Sequence, residues 1–387
     1  MLEIEIGRGK KARRAYGFDD IAIVPSRRTR DAEDVDIAWR LGPHLLELPL
    51  LASAMDGVVS PATAIKLGQL GGLGVLNLEG LWTRYENADE VLERIASFDK
   101  AEATREMQKI YAEPVKPELI SKRIKEIKDA GVLAAASLTP QRVREYWQLA
   151  LDAGLDVLVI QGTVVSAEHV STVVEPLNLK EFIASMPVPV IVGGCASYQA
   201  ALHLMRTGAA GVLVGVGPGA ACTTRGVLGV GVPQATAIAD AAAARVQHLL
   251  ETGQYVNVIA DGGMRTGGDI SKAIACGADA VMVGSPLARA AEAPGHGYHW
   301  GMATFHPSLP RGARVKTDQV ATLEEIVIGP AKENDGTLNL MGALRTSMAT
   351  TGYDTIQAFQ KAEIMFAPAL QTEGKKLQRE QAIGMSR

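Results

Sequence analysis

Aromatic side chains are scarce in this chain: Phe, Trp and Tyr together make up 5% of its 387 residues. A core of ordinary size must then come from aliphatic side chains and alanine. Cysteine occurs only three times, at Cys195, Cys222 and Cys276, with no Cys-x-x-Cys pair. That argues against a disulfide framework and fits a reducing cytoplasm, the expected location. Long apolar runs are missing too. No stretch has the length of a membrane span, and no apolar signal core stands at the N-terminus, so no membrane partner is expected. Nor is there an excess of basic charge. The formal net charge is −4, which speaks against nucleic acid as a partner. The one basic run, "GRGKKARR" at 7–14, reads as a solvated arm, with a phosphate or RNA contact as the alternative.

What the chain does have is a set of short apolar segments, each ending in small or polar residues. They lie at 49–55, 72–76, 132–138, 157–162, 189–194, 210–215, 256–262 and 279–285. None alternates apolar with polar, as expected of parallel strands covered on both faces. Helical spacing fills most of the gaps, at 61–70, 117–131, 140–154, 197–208, 235–253 and 268–277. Eight strands alternating with helices predict an α/β fold, a TIM (β/α)8 barrel with its active site at the C-terminal ends of the strands. The rival is an open doubly wound sheet. The count of eight favours closure, and the glycine and polar clusters all follow strands. The reading is of one barrel domain over 1–387. It carries an N-terminal arm over 1–48, a charged helical excursion over 77–116, a lid over about 290–336 and a polar tail over about 368–387.

Two clusters could carry chemistry. "GVGPGAACTTRGVLGVGVPQ" (215–234) surrounds Cys222 with glycine. Such a backbone can approach a ligand closely, and its N–H groups or carbonyls can hold phosphate or a monovalent cation. Cys222 would act as a nucleophile only as thiolate, with Thr223 and Thr224 able to orient water or pass a proton. The alternative is an inert cysteine in a structural turn. The second cluster ends the last two strands. Gly262, Gly263, Gly284 and Ser285 could present N–H groups to a phosphate, and Asp261 could accept from ribose hydroxyls. Turn geometry alone is the competing reason for those glycines. His296, His299 and His306 lie in the lid, but their spacing matches no helical zinc signature.

Several motifs then converge. "FDDIAIVPSRRT" (18–29), "LASAMDGV" (51–58), "GGLGVLN" (71–77), "GPGAACTTRGVLGVGVPQ", "ADGGMRTGGDISKAIACGADAVMVGSPLA" and "LMGALRTSM" (340–348) occur in this order. In that order and spelling they resemble the IMP dehydrogenase/GMP reductase family over nearly the whole chain. The resemblance implies a purine mononucleotide (GMP or IMP) and a nicotinamide cofactor. It places Cys222 on the cysteine that attacks C2 of the purine and Thr224 on the catalytic threonine. The partner of that threonine falls on Gln319 or its neighbour Asp318. Ser53 and Met55 match base contacts, Asp261 the ribose contact, Gly262, Gly263, Gly284 and Ser285 the phosphate site, and Met302 and Ala303 the base edge. Gln161, Gly162 and Thr163 match the nicotinamide side. The carbonyls of Gly217, Gly219 and Cys222 match the potassium site of many members. Assembly as a homotetramer or homo-octamer is implied as well.

The chain departs from the family pattern at Ala220, Gln161, Leu213 and Cys195, which bears on cofactor geometry. Within the family, a dehydrogenase hydrolyses its covalent intermediate with water activated by an Arg–Tyr pair on a long flap. This lid has no Arg–Tyr dipeptide and is short, and the CBS pair usual in dehydrogenases is absent. The expectation is therefore a GMP reductase that uses NADPH, with Arg311, Arg314 and Lys316 either meeting the 2′-phosphate or forming a solvated lid surface. The alternatives are an IMP dehydrogenase that uses NAD and a non-catalytic purine-nucleotide-binding regulator.

Overall fold

The computed structural model describes residues 3–172, 175–367 and 374–384. Eight parallel strands close into a barrel: β1 (Leu50–Ala52), β2 (Leu73–Asn77), β3 (Ala135–Leu138), β4 (Val157–Gln161), β5 (Val190–Cys195), β6 (Gly211–Val214), β7 (Asn257–Asp261) and β8 (Ala280–Val283). Closure is made by β8 pairing with β1, with Val281 opposite Leu50 and Val283 opposite Ala52. The strands are buried along nearly their whole length, which is why their sequences show no alternation.

Each strand leads to a helix on the outside: α1 (Pro61–Gln69), α2 (Pro117–Asp129), α3 (Val143–Asp152), α4 (Leu179–Ala184), α5 (Tyr198–Met205), α6 (Gln234–Thr252), α7 (Gly267–Ala275) and α8 (Leu340–Thr350). Local chemistry sets several starts. The hydroxyls of Ser60, Ser197 and Thr266 accept from the backbone N–H three residues on, capping α1, α5 and α7. The sequence reading contained neither α4 nor α8.

The segment before β1 is more than a solvated arm. A hairpin of Trp39–Leu41 against His44–Leu46 closes the N-terminal mouth of the barrel. Trp39, Leu41 and Leu46 are buried there. The Trp39 indole donates to the Leu48 carbonyl at 3.0 Å, and the Asn257 amide at the foot of β7 donates to the Arg40 carbonyl at 3.1 Å. The basic run forms an exposed hairpin, tied down where Arg13 meets Asp240 at 2.6 Å. The 77–116 excursion folds into helices Ala88–Ser97 and Ala103–Ile110 beside the C-terminal mouth. Of the expected tail, 368–373 and 385–387 lie outside the described residues; Lys376–Glu380 make a short helix. Among the described residues no helix is long and apolar enough to cross a membrane.

Candidate active site

A cavity of about 500 Å³ opens at the C-terminal ends of the strands, within the range of small-molecule sites. It is lined by the loop after β1 (Ser53, Met55), the end of β4 (Gln161 to Thr163), the glycine loop after β6, the ends of β7 and β8, and part of the 290–336 segment. The two clusters singled out in the sequence thus face one space.

Cys222 stands on the glycine loop just before a short helix, Thr224–Leu228. Its thiol lies 3.1 Å from the Thr224 hydroxyl and 3.9 Å from the Arg311 carbonyl. Thr224 itself is fully buried. The loop is held in place from the 290–336 segment: Cys222 and Gly312 pair as an antiparallel bridge, Thr223 N–H donates to the Arg311 carbonyl at 3.1 Å, and Ala313 N–H donates to the Ala221 carbonyl at 2.9 Å. This bridge brings Arg311 to the cavity wall, where its Nε–H is buried with no partner. A Cβ on Gly312 would lie 2.5 Å from the Thr304 hydroxyl, so a tyrosine after Arg311 has no room.

At the ends of β7 and β8, Gly262 and Gly263 both have positive φ (+78° and +83°), a conformation glycine adopts without strain. They turn the chain sharply beside Gly284 and Ser285. Asp261, half-buried at the cavity wall, accepts from the Gln161 amide at 3.1 Å. Burial pushes its carboxyl up to about 7, with the Gln161 donor pulling the other way. Ser285 Oγ lies 2.8 Å from Nε2 of His299. His299 is buried, lines the cavity and is held down to about 4 by desolvation, hence neutral at pH 7. Sequence reading placed it among the lid histidines without a function. Pairing between Tyr298–His299 and Val315–Lys316 fixes it here, and that long-range strand pair leaves no local signal.

Other expected residues do not meet. Gln319 and Asp318 are exposed and line no part of the cavity. The Gln319 amide donates instead to the carbonyls of Ala290 and Ala291 at 3.3 and 3.4 Å. The reason is local pairing: Val320 N–H donates to the Arg289 carbonyl, and Ala291 N–H to the Ala321 carbonyl. That zipper draws Gln319 away from Thr224. Arg314 also misses the cavity. Its guanidinium donates to the carbonyls of Ile95, Ala96 and Phe98 and lies over the Tyr298 ring at 4.3 Å. It caps the end of helix Ala88–Ser97. Lys316 is exposed outside the cavity. Met302, Ala303, Gly217, Gly219 and Ala220 do line it. The Gly219 carbonyl accepts from Cys222 N–H at 3.0 Å, which leaves it one lone pair for a cation. Among the described residues no cluster of His, Cys, Asp and Glu could hold a metal ion.

Comparison with known proteins bears on the same residues. The model of the IMP dehydrogenase / GMP reductase domain matches residues 15–375. An uncharacterized oxidoreductase of Mycolicibacterium smegmatis is 49% identical, covering 92% of this chain and 98% of its own. An inosine-5′-monophosphate dehydrogenase of Cryptosporidium parvum is 30% identical, covering 89% of this chain and 90% of its own. An IMP dehydrogenase/GMP reductase-like protein from Corynebacterium glutamicum superposes with a TM-score of 0.90 at 47% identity, over 94% of this chain and 97% of that one.

Proposed function

Since the chain belongs to the IMP dehydrogenase/GMP reductase family of oxidoreductases, we propose that it oxidises IMP to XMP, with NAD as acceptor. The observation that carries this reading is Arg311, an arginine that lines the cavity and is carried by the segment bridged to the Cys222 loop. Two arguments for a reductase lose weight beside it. In this reading Arg311 takes the part of the flap arginine, and Gly312 stands where the tyrosine would be. The missing CBS pair does not separate the activities, because the Cryptosporidium dehydrogenase is matched over 90% of its own length.

In this reading Ser53, Met55, Met302 and Ala303 frame the base, and Asp261 accepts from the ribose. Gly262, Gly263, Gly284 and Ser285 hold the phosphate, with His299 orienting the Ser285 hydroxyl. The Cys222 thiol gives up its proton, which leaves for bulk water, and the thiolate attacks C2 of IMP. Departure of hydride from C2 restores the C=N bond and leaves a thioimidate on Cys222. Gln161, Gly162 and Thr163 would hold a nicotinamide, which when bound would supply the hydride acceptor. The cavity fits this placement, since those three residues share its wall with Cys222. Water held by Arg311 then adds to C2, the C–S bond breaks, and XMP and the free thiol result. Thr224, the thiol's hydroxyl neighbour, is placed to hold a proton at Sγ. A potassium ion at Gly217, Gly219 and Cys222 remains a proposal that no step requires.

A GMP reductase is the second reading, favoured by Gly312 in place of tyrosine and by the short lid. It releases ammonia from GMP at Cys222 and takes hydride from NADPH. Against it stands the position of Gln319, whose amide donates to the Ala290 carbonyl and is turned away from Thr224. Two incubations separate the readings. IMP with NAD should give XMP and NADH in equal amounts, and GMP with NADPH should release no ammonia. Ammonia release without XMP formation reverses the assignment. Under IMP and NAD, Arg311→Ala should still give one burst of NADH and then stall as the covalent adduct, seen as added mass on Cys222.

A further inference from the structure

The 77–116 excursion grips the 290–336 segment at three places. Arg314 is bound by the carbonyls ending helix Ala88–Ser97, and the Gln108 amide donates to the His306 carbonyl at 3.0 Å. The third contact is buried. The Tyr111 hydroxyl donates to Asp56 Oδ2 at 2.5 Å and accepts from the Trp300 indole at 2.7 Å. The Tyr111 ring also stacks on Phe305, with centroids 3.5 Å apart and planes 5° from parallel. Tyr111, Asp56 and Trp300 are each less than a tenth exposed. Asp56 is held from a third side by Leu81 N–H at 3.1 Å, and a Cβ on Gly80 would lie 1.9 Å from it.

The placement of these residues gives the hub a purpose. Trp300 and Phe305 flank Met302 and Ala303, which line the cavity, and Asp56 directly follows Met55, which lines it too. One tyrosine hydroxyl therefore links the loop that carries Met55 to the stretch that carries Met302 and Ala303, beside the backbone bond from Gly295 N–H to the Gly57 carbonyl at 3.1 Å. The chemistry of the site makes no use of Tyr111, and a buried hydroxyl with one donor and one acceptor has a fixed direction.

We propose that Tyr111 is a positioning residue for the purine pocket, fixing through Trp300 and Phe305 the Met302–Ala303 turn that meets the base edge. The inference rests on the reading that a purine mononucleotide occupies this cavity. Without the hub the turn must be ordered when the nucleotide binds, and that cost is taken from affinity. A merely structural tyrosine would change stability and the active fraction but leave affinity alone.

The test is calorimetric titration of the full-length protein with IMP, beside steady-state kinetics. Tyr111→Phe keeps the ring stack and deletes the hydroxyl. Its IMP Kd and KM should rise about tenfold, with kcat at saturating IMP within about twofold and the KM for NAD unchanged. Trp300→Phe removes, from the other side, the one of those two hydrogen bonds that reaches the 290–336 segment, and should raise Kd similarly. The double variant should be little worse than Tyr111→Phe alone, because both delete one link. An unchanged Kd in either folded single variant, or fully additive losses in the double, overturns the proposal. If the wild-type protein binds neither IMP nor GMP, the assignment of the cavity to a purine nucleotide fails instead, and the two failures are told apart by that first titration.

Discussion

At the scale of single residues, Cys222 and Asp261 carry opposite duties. Cys222 is needed for bond making and contributes little to holding the nucleotide. Cys222→Ser should abolish turnover while IMP affinity, read by calorimetry, stays within a few-fold. Near-normal turnover would sink the covalent route. Asp261 is needed for holding. Its replacement by Ala should weaken IMP and GMP alike by about 1.5–3 kcal/mol, because both carry the same ribose. The carboxyl also predicts a pH dependence. Its folded-state value of about 7 lies above the ordinary carboxylate range. The stability it contributes is therefore fully present in acid and is lost as pH rises through about 7. Binding runs the other way, since ribose hydroxyls donate best to the carboxylate. IMP affinity should fall as pH drops below about 7, and Asp261→Asn should flatten that profile.

At the scale of elements, the strands and the helices on them meet through very small residues. Gly74 on β2 is packed so closely that a Cβ would lie 2.6 Å from the Ala64 Cα on α1. No rotamer relieves a clash with backbone, so Gly74→Ala should lower stability by about 1–3 kcal/mol in chemical denaturation. Because the contact lies on the outside of the barrel, KM for IMP should not move. The 290–336 segment obeys a different logic. It carries little regular structure and is placed by pairing at a distance, by Cys222 with Gly312, Tyr298–His299 with Val315–Lys316, and Ala290 with Ala321. Those pairings decide that Arg311 reaches the cavity and that Gln319 does not.

The whole molecule divides its labour between the two mouths of the barrel. The cavity lies at the C-terminal mouth, and near the other end a buried ion pair ties α6 to the residue before β8. Arg245 meets Asp279 at 2.7 Å, and both side chains are almost wholly buried. Asp279 also accepts from Tyr255 at 2.6 Å and from the Gln360 amide at 2.9 Å. Arg245→Met leaves that carboxylate buried without its cation. Breaking such a pair costs about 3–5 kcal/mol. Thermal unfolding should shift down strongly while the IMP Kd of the folded fraction is kept. A loss of affinity equal to the loss of stability would show that the two mouths are coupled.

The sequence by itself determined the barrel and the chemical core of the site. Eight mainly apolar strands can be satisfied only between two covered faces. Asp261, Gly262, Gly263, Gly284 and Ser285 sit within two residues of strand ends, and Cys222 lies on the loop that leaves β6. Once the strands form, their shared direction delivers these side chains to one mouth. The six helices read from apolar spacing appear at the expected places. Leu179–Ala184 was missed because six residues are too few to show a period. What only the tertiary structure decided lies in the segments without a period. The fates of Gln319, Arg311, Arg314 and His299, and the buried hub at Tyr111, depend on which distant backbone each segment pairs with. Hydrogen bonds between backbone groups read no side-chain identity, so the sequence of such a segment carries little record of its partner.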